Sequence, residues 1–127
     1  MATERLHRRS AAQSYSAACA LRGPHPHWAI VPLFYSAMHL MLALFEADGL
    51  PGECRHTTQH VGLWRNGKRV QWGTNDVVSE YYPDVARFYR ALFDAGWAVR
   101  YDTLRGAAAP LWGHHQRIEA RAGASRR

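Results

Sequence analysis

Trp28-Ala-Ile-Val-Pro-Leu-Phe-Tyr-Ser-Ala-Met-His-Leu-Met-Leu-Ala-Leu-Phe45 runs without a formally charged side chain. Two apolar rows follow it at helical spacing. Trp28, Val31, Tyr35, Met38, Leu42 and Phe45 form one, and Ile30, Phe34, Ala37, Met41 and Leu44 form the other. A helix that is apolar on most sides must be buried on most sides. By length alone the stretch would also serve as a membrane span. Pro32, Ser36 and His39 inside it, with Glu46 and Asp48 directly after it, favour a buried core helix and no membrane partner. The helix is expected from about Pro26 to Asp48, with Gly49 as its stop. Pro32 either kinks it or marks a later start. Two apolar rows exceed what a small bundle readily covers, so a homodimer through this helix is expected.

Other helices are expected around it. Thr3 to Arg22 reads as a first helix with a thin apolar side of small residues, ended by Gly23-Pro24. Leu50 to His56 reads as a loop. Thr57 or Thr58 then caps a short helix to about Asn66, and Lys68 to Trp72 adds at most a short strand. A fourth helix is expected from Asp76 to Leu104, with a break at Pro83. Its second half repeats apolar residues at i, i+3, i+4 and i+7 through Val85, Phe88, Tyr89, Leu92, Phe93, Gly96 and Val99. From Gly106 the chain turns to Ala, Gly and Arg. The reading is an all-α bundle of four to five helices over residues 1–105, then a basic, partly disordered tail over 106–127 in which Leu111, Trp112 and Ile118 dock locally.

Composition narrows the function classes. The 127 residues hold 47% hydrophobic and 20% charged side chains, which excludes wholesale disorder. Fifteen of the sixteen basic residues are arginine, Lys68 being the exception, and the net charge is +6. That balance favours polyanions, because the guanidinium fork grips phosphate with two hydrogen bonds. Cys19 and Cys54 do not make a disulfide framework, and the opening residues lack an apolar run, so the cytoplasm is the expected compartment.

Trp28 to His39, His56 opening the next element, Tyr82-Pro-Asp-Val-Ala-Arg-Phe-Tyr-Arg-Ala-Leu-Phe93 and the late Val99-Arg100-Tyr101 together resemble the HEPN family of small helical domains, over about residues 7–104. The resemblance implies a four- or five-helix bundle that often dimerises. The chain departs from the family pattern at Pro32, at Gln59 and at Gly96-Trp97. Catalytic members carry an Arg and a His separated by four to six residues, and Arg55 with His60 matches that pattern. By that resemblance the chain would be a metal-independent endoribonuclease of a toxin–antitoxin or defence system. His60 would take the ribose 2′-hydroxyl proton and Arg55 would stabilise the phosphate charge. Arg22 and His27 match the same spacing, as chance pairs do in so arginine-rich a chain.

A second constellation is independent of catalysis. His39, His56, Gln59, Arg100 and Tyr101 converge in such a bundle on a ligand pocket for RNA or a nucleotide. Cys54, His56 and His60 lack the fourth ligand of a structural zinc site, and no metal or other cofactor is expected. Three readings stand side by side: ribonuclease, non-catalytic RNA- or nucleotide-binding module, and helical dimer serving as a protein-interaction scaffold, with an antitoxin as one such partner.

Overall fold

The structure, a computed structural model, describes residues 2–50, 61–65, 68–104 and 106–124. Five helices appear in the order α1 (Ala2–Arg22), α2 (Ile30–Ala47), α3 (Thr74–Tyr81), α4 (Ala86–Tyr101) and α5 (Ala109–Ala124). Two short strands, β1 (Val61–Arg65) and β2 (Lys68–Trp72), lie between α2 and α3. The helical bundle is the expected one, with α2 at its centre, packed against α1, α4 and α5.

Helix α2 begins at Ile30 rather than Pro26. Residues 26–29 are turns, and Pro32 falls in the first helical turn. The amides there have no intrahelical acceptor, so the missing N–H of proline costs nothing. Pro32 therefore marks the later start and does not kink the helix. At the other end Gly49 takes φ +66°. Its N–H donates to the Glu46 carbonyl at 3.2 Å, and the Leu50 N–H donates to the Phe45 carbonyl at 3.1 Å. This pair of bonds closes a helix C-terminus through a left-handed glycine. By length and composition α2 could cross a membrane, yet 61% of it is buried by the rest of the chain. Ile30, Leu33, Phe34, Ala37 and the run from Leu40 to Phe45 all lie in the interior. The second apolar row, Ile30, Phe34, Ala37, Met41 and Leu44, is buried within one chain, whereas in the first row Leu42 and Phe45 are buried and Trp28 and Tyr35 are exposed.

Helix α1 approaches α2 through small residues, as its sequence implied. Ala11 and Ala18 are buried, and the Ser36 hydroxyl of α2 donates to the Ala11 carbonyl at 2.8 Å. At its exposed start Glu4 accepts from Arg8 Nε at 2.8 Å, an i,i+4 pair worth a few tenths of a kcal/mol, ~0.3–0.5.

Three expectations are corrected. The helix expected to run to Asn66 is not present over Val61 to Arg65. That segment is a strand, antiparallel to β2 in the register Val61↔Trp72 to Arg65↔Lys68. The signal was in the sequence: Asn66-Gly67 between two runs containing Val, Leu and Trp is a strong short-range mark of a hairpin. The fourth expected helix does break at Pro83, and the correction is only to its ends and continuity: Tyr82, Pro83, Asp84 and Val85 separate two helices, α3 from Thr74 and α4 to Tyr101. Tyr82 anchors that break. Its ring stacks on Phe45 at 5.7 Å and its hydroxyl donates to Asp48 at 2.6 Å. Burial, and then the bond to the Asp48 carboxylate, raise the Tyr82 phenol. The third correction is the tail. Residues 109–124 form α5, and Leu111, Trp112, His115, Ile118 and Ala122 are buried in the common core. These positions repeat at helical spacing, but alanine, glycine and arginine between them masked the pattern.

Helix α4 lies across α2 so closely that Gly96 is required. A Cβ there would stand 3.3 Å from the Phe34 Cβ. Phe34 also contacts Phe93 edge-on at 5.6 Å and Tyr89 at 5.7 Å. Gly96→Val is expected to destabilise the protein by about 1–3 kcal/mol, the usual range for forcing extra carbons into a packed contact. Chemical denaturation checks this; an unchanged midpoint would show that the helices separate freely.

Candidate functional site

Along one side of the α2–α4 contact the packing opens into a cleft of about 790 Å³. Its apolar wall comes from Phe34, Tyr89 and Phe93, and its rim carries Tyr35, Trp97, Arg100 and Tyr101. Gly73 to Asp76, at the start of α3, close the far side. The α3 start is held by Asp76, whose carboxylate accepts from the Gly73 N–H at 2.9 Å.

Arg100 organises the rim. Its Nη1 donates to the Tyr35 hydroxyl at 2.5 Å. Its guanidinium carbon lies 5.4 Å from the Tyr35 ring centre and 5.4 Å from that of Tyr101. Trp97 continues the surface, its ring 5.5 Å from Tyr101. Tyr101 is 68% exposed and Trp97 48%, which is unusual for large apolar side chains and leaves their faces free for a planar ligand. Two cleft-lining residues carry a buried polar atom without a hydrogen-bond partner among the described residues: the Arg100 Nε donor and the Asn75 Oδ1 acceptor. Buried polar groups are rarely left unsatisfied, so a small side-chain movement that brought either atom to a ligand group or a water would be favoured.

Of the residues expected to form a pocket, the structure brings Arg100 and Tyr101 together. His39 is elsewhere: it faces α1, its Nδ1 3.0 Å from the Nδ1 of His7. The ring centres are 5.2 Å apart, so the two nitrogens point almost straight at each other and share one proton in a hydrogen bond. No cation fits between nitrogens in that arrangement, because a metal stands about 2.0 Å from each ligand. Burial lowers both imidazoles, and His7 lowers His39 further. His56, Gln59, Arg55 and His60 lie outside the described residues, as do Cys54 and the rest of its loop. Among the described residues no group of three metal-ligating side chains occurs. Tyr35, Asn75 and Trp97 were not anticipated in a pocket. Tyr35 was read as part of an apolar row, although a tyrosine in such a row always carries a polar tip.

Ser36 and His115 form a second polar cluster. The Ser36 hydroxyl has one hydrogen, which it gives to the Ala11 carbonyl, so its oxygen accepts from His115 Nε2–H at 2.9 Å. This histidine donates to the serine and cannot take the serine proton, and both residues are 1% exposed. The pair is a structural link among α1, α2 and α5, not a nucleophile. His115 Nδ1 is buried without a partner, the Tyr15 ring stacks on the imidazole at 5.0 Å, and burial pushes the imidazole down to about 4.

The chain matches no protein-family model, no curated protein and no solved structure.

Proposed function

We propose that this chain is a HEPN-like helical protein whose α2–α4 cleft binds RNA or a nucleotide. The observation that carries the reading is the pairing of an unsatisfied Arg100 donor and an unsatisfied Asn75 acceptor on residues that line one aromatic-rimmed cleft. A nucleobase presents donors and acceptors on one edge and a flat face for stacking. Each base stacked on an aromatic side chain contributes about 1–3 kcal/mol. Arg100 also supplies the fixed positive charge that phosphate requires. The family assignment rests on the Trp28–His39 stretch and on Arg100-Tyr101.

Binding is favoured over cleavage on one ground. Among the described residues no histidine lines the cleft, and His60 and Arg55, the residues read as catalytic from the sequence, lie outside the described residues. The alternative of a dimeric scaffold keeps one observation behind it, the exposed Trp28 and Tyr35 of the first apolar row.

Arg100→Ala is expected to weaken binding of a short single-stranded oligoribonucleotide by about 10- to 100-fold, the loss of one charge-assisted hydrogen bond. Tyr101→Ala should act in the same direction through lost stacking. Neither change touches the core, so melting temperatures should hold. Anisotropy of the labelled oligonucleotide measures the first effect; wild-type affinity in Arg100→Ala would remove the cleft from consideration. The same RNA incubated with EDTA tests cleavage. Cutting by the wild type and not by His60→Ala would establish the ribonuclease reading.

A further inference from the structure

Away from the cleft, where α4 meets α5, the half-buried Phe88 gathers three nitrogen-bearing side chains. The Arg87 guanidinium carbon lies 4.7 Å from its ring centre and that of Arg117 lies 5.6 Å from it. The His114 ring is 5.3 Å from it. Sharing one ring keeps the two guanidinium charges within about 10 Å of each other, near the screening length of moderate salt. Neither guanidinium forms an ion pair with a carboxylate among the described residues. The acids nearby are already engaged: Asp84 accepts from Arg121 at 3.0 Å and Asp94 from Arg90 at 3.2 Å.

We propose that Arg87 and Arg117 form a phosphate-binding clamp that holds the backbone of a single-stranded nucleic acid whose base occupies the cleft. This rests on the reading of the cleft given above and extends it from a nucleotide to a strand. The two places share α4: Arg100 and Arg87 are about 20 Å apart along the axis, at about 1.5 Å per residue. A mononucleotide does not reach from one to the other, whereas a strand of several phosphates does. Arg90 lies between them on the same helix and lines the cleft, where it is paired with Asp94 at 3.2 Å. Contact with the Phe88 ring restrains both guanidinium groups, which lowers the entropy lost on binding.

The test compares wild type with the double variant Arg87→Gln/Arg117→Gln, using AMP, a short single-stranded oligoribonucleotide and inorganic phosphate as probes over a range of salt. Both arginines are exposed, and a melting curve confirms that the variant is folded. The expected result is an oligonucleotide affinity about tenfold lower in the variant, and a salt slope shallower by about 1.4, the release of counterions from two single-strand phosphates. AMP affinity should not change. An oligonucleotide that binds wild type and variant alike overturns the clamp and leaves the cleft standing. Loss of binding in the double variant with no loss in Arg100→Ala removes the cleft and overturns a strand that joins the two places. Stabilisation of the wild type alone by inorganic phosphate, without preference for the oligonucleotide, would assign the pair to a free anion and overturn the backbone proposal. Failure of the wild type to bind any probe overturns both.

Discussion

Met41→Arg is expected to unfold the protein, not to split a dimer. Met41 is fully buried in the core around α2, among Leu40, Leu42, Leu44 and Phe45. An arginine there would place an unpaired charge where no water or carboxylate reaches it. Real proteins lose several kcal/mol for such a charge, of the order of ~5 kcal/mol. Total stability of a domain this size is about 5–15 kcal/mol, so one substitution consumes much or all of it. Phe45→Arg should behave similarly, since it also removes the ring that stacks on Tyr82. Far-ultraviolet circular dichroism with sedimentation separates the outcomes. Loss of helix supports the packing described above. A folded Met41→Arg protein with half the mass of the wild type would instead put α2 in an interface between chains.

The second large effect is loss of stability in acid. The His115 imidazole is held down to about 4 by burial, against an ordinary value of 6.5. Above pH 6.5 it is neutral in the folded and the unfolded chain and costs nothing. Between pH 6.5 and 4 the unfolded chain takes up the proton and the folded chain does not. Stability therefore falls as pH falls through this window and levels off below it. At about 1.4 kcal/mol per pH unit the gap amounts to about 3 kcal/mol. His7 and His39, also lowered, add with the same sign. In melting temperature the His115 share is on the order of 10 °C for a chain of this length. His115→Leu removes the titrating group while Ser36 keeps its bond to Ala11, so its stability should vary less between pH 7 and 4. Parallel profiles for the variant and the wild type would show that other groups cause the acid transition.

Composition and periodicity alone made α2 a helix buried on most sides within an all-α bundle, because its two apolar rows need cover either from the rest of the chain or from a second one. They also placed α1, the Gly49 stop and the break at Pro83, each of which depends on local backbone chemistry. Arg100 and Tyr101 were legible as neighbours in sequence at the end of a helix. What covers α2 was not legible. Whether a second chain or its own α5 buries an apolar row is a question of which surface arrives first in space, and alanine-rich α5 carries little periodic signal of its own. The partner of His39 was equally hidden: sequence shows that a buried imidazole needs a hydrogen bond, but not that His7, thirty-two residues away, provides it. Gly96 lets α4 close on Phe34, where a Cβ would stand 3.3 Å from the Phe34 Cβ. That contact sets which aromatic faces are buried and which are left at the rim beside Arg100. Local chemistry decides elements; the mutual fit of their surfaces decides the site.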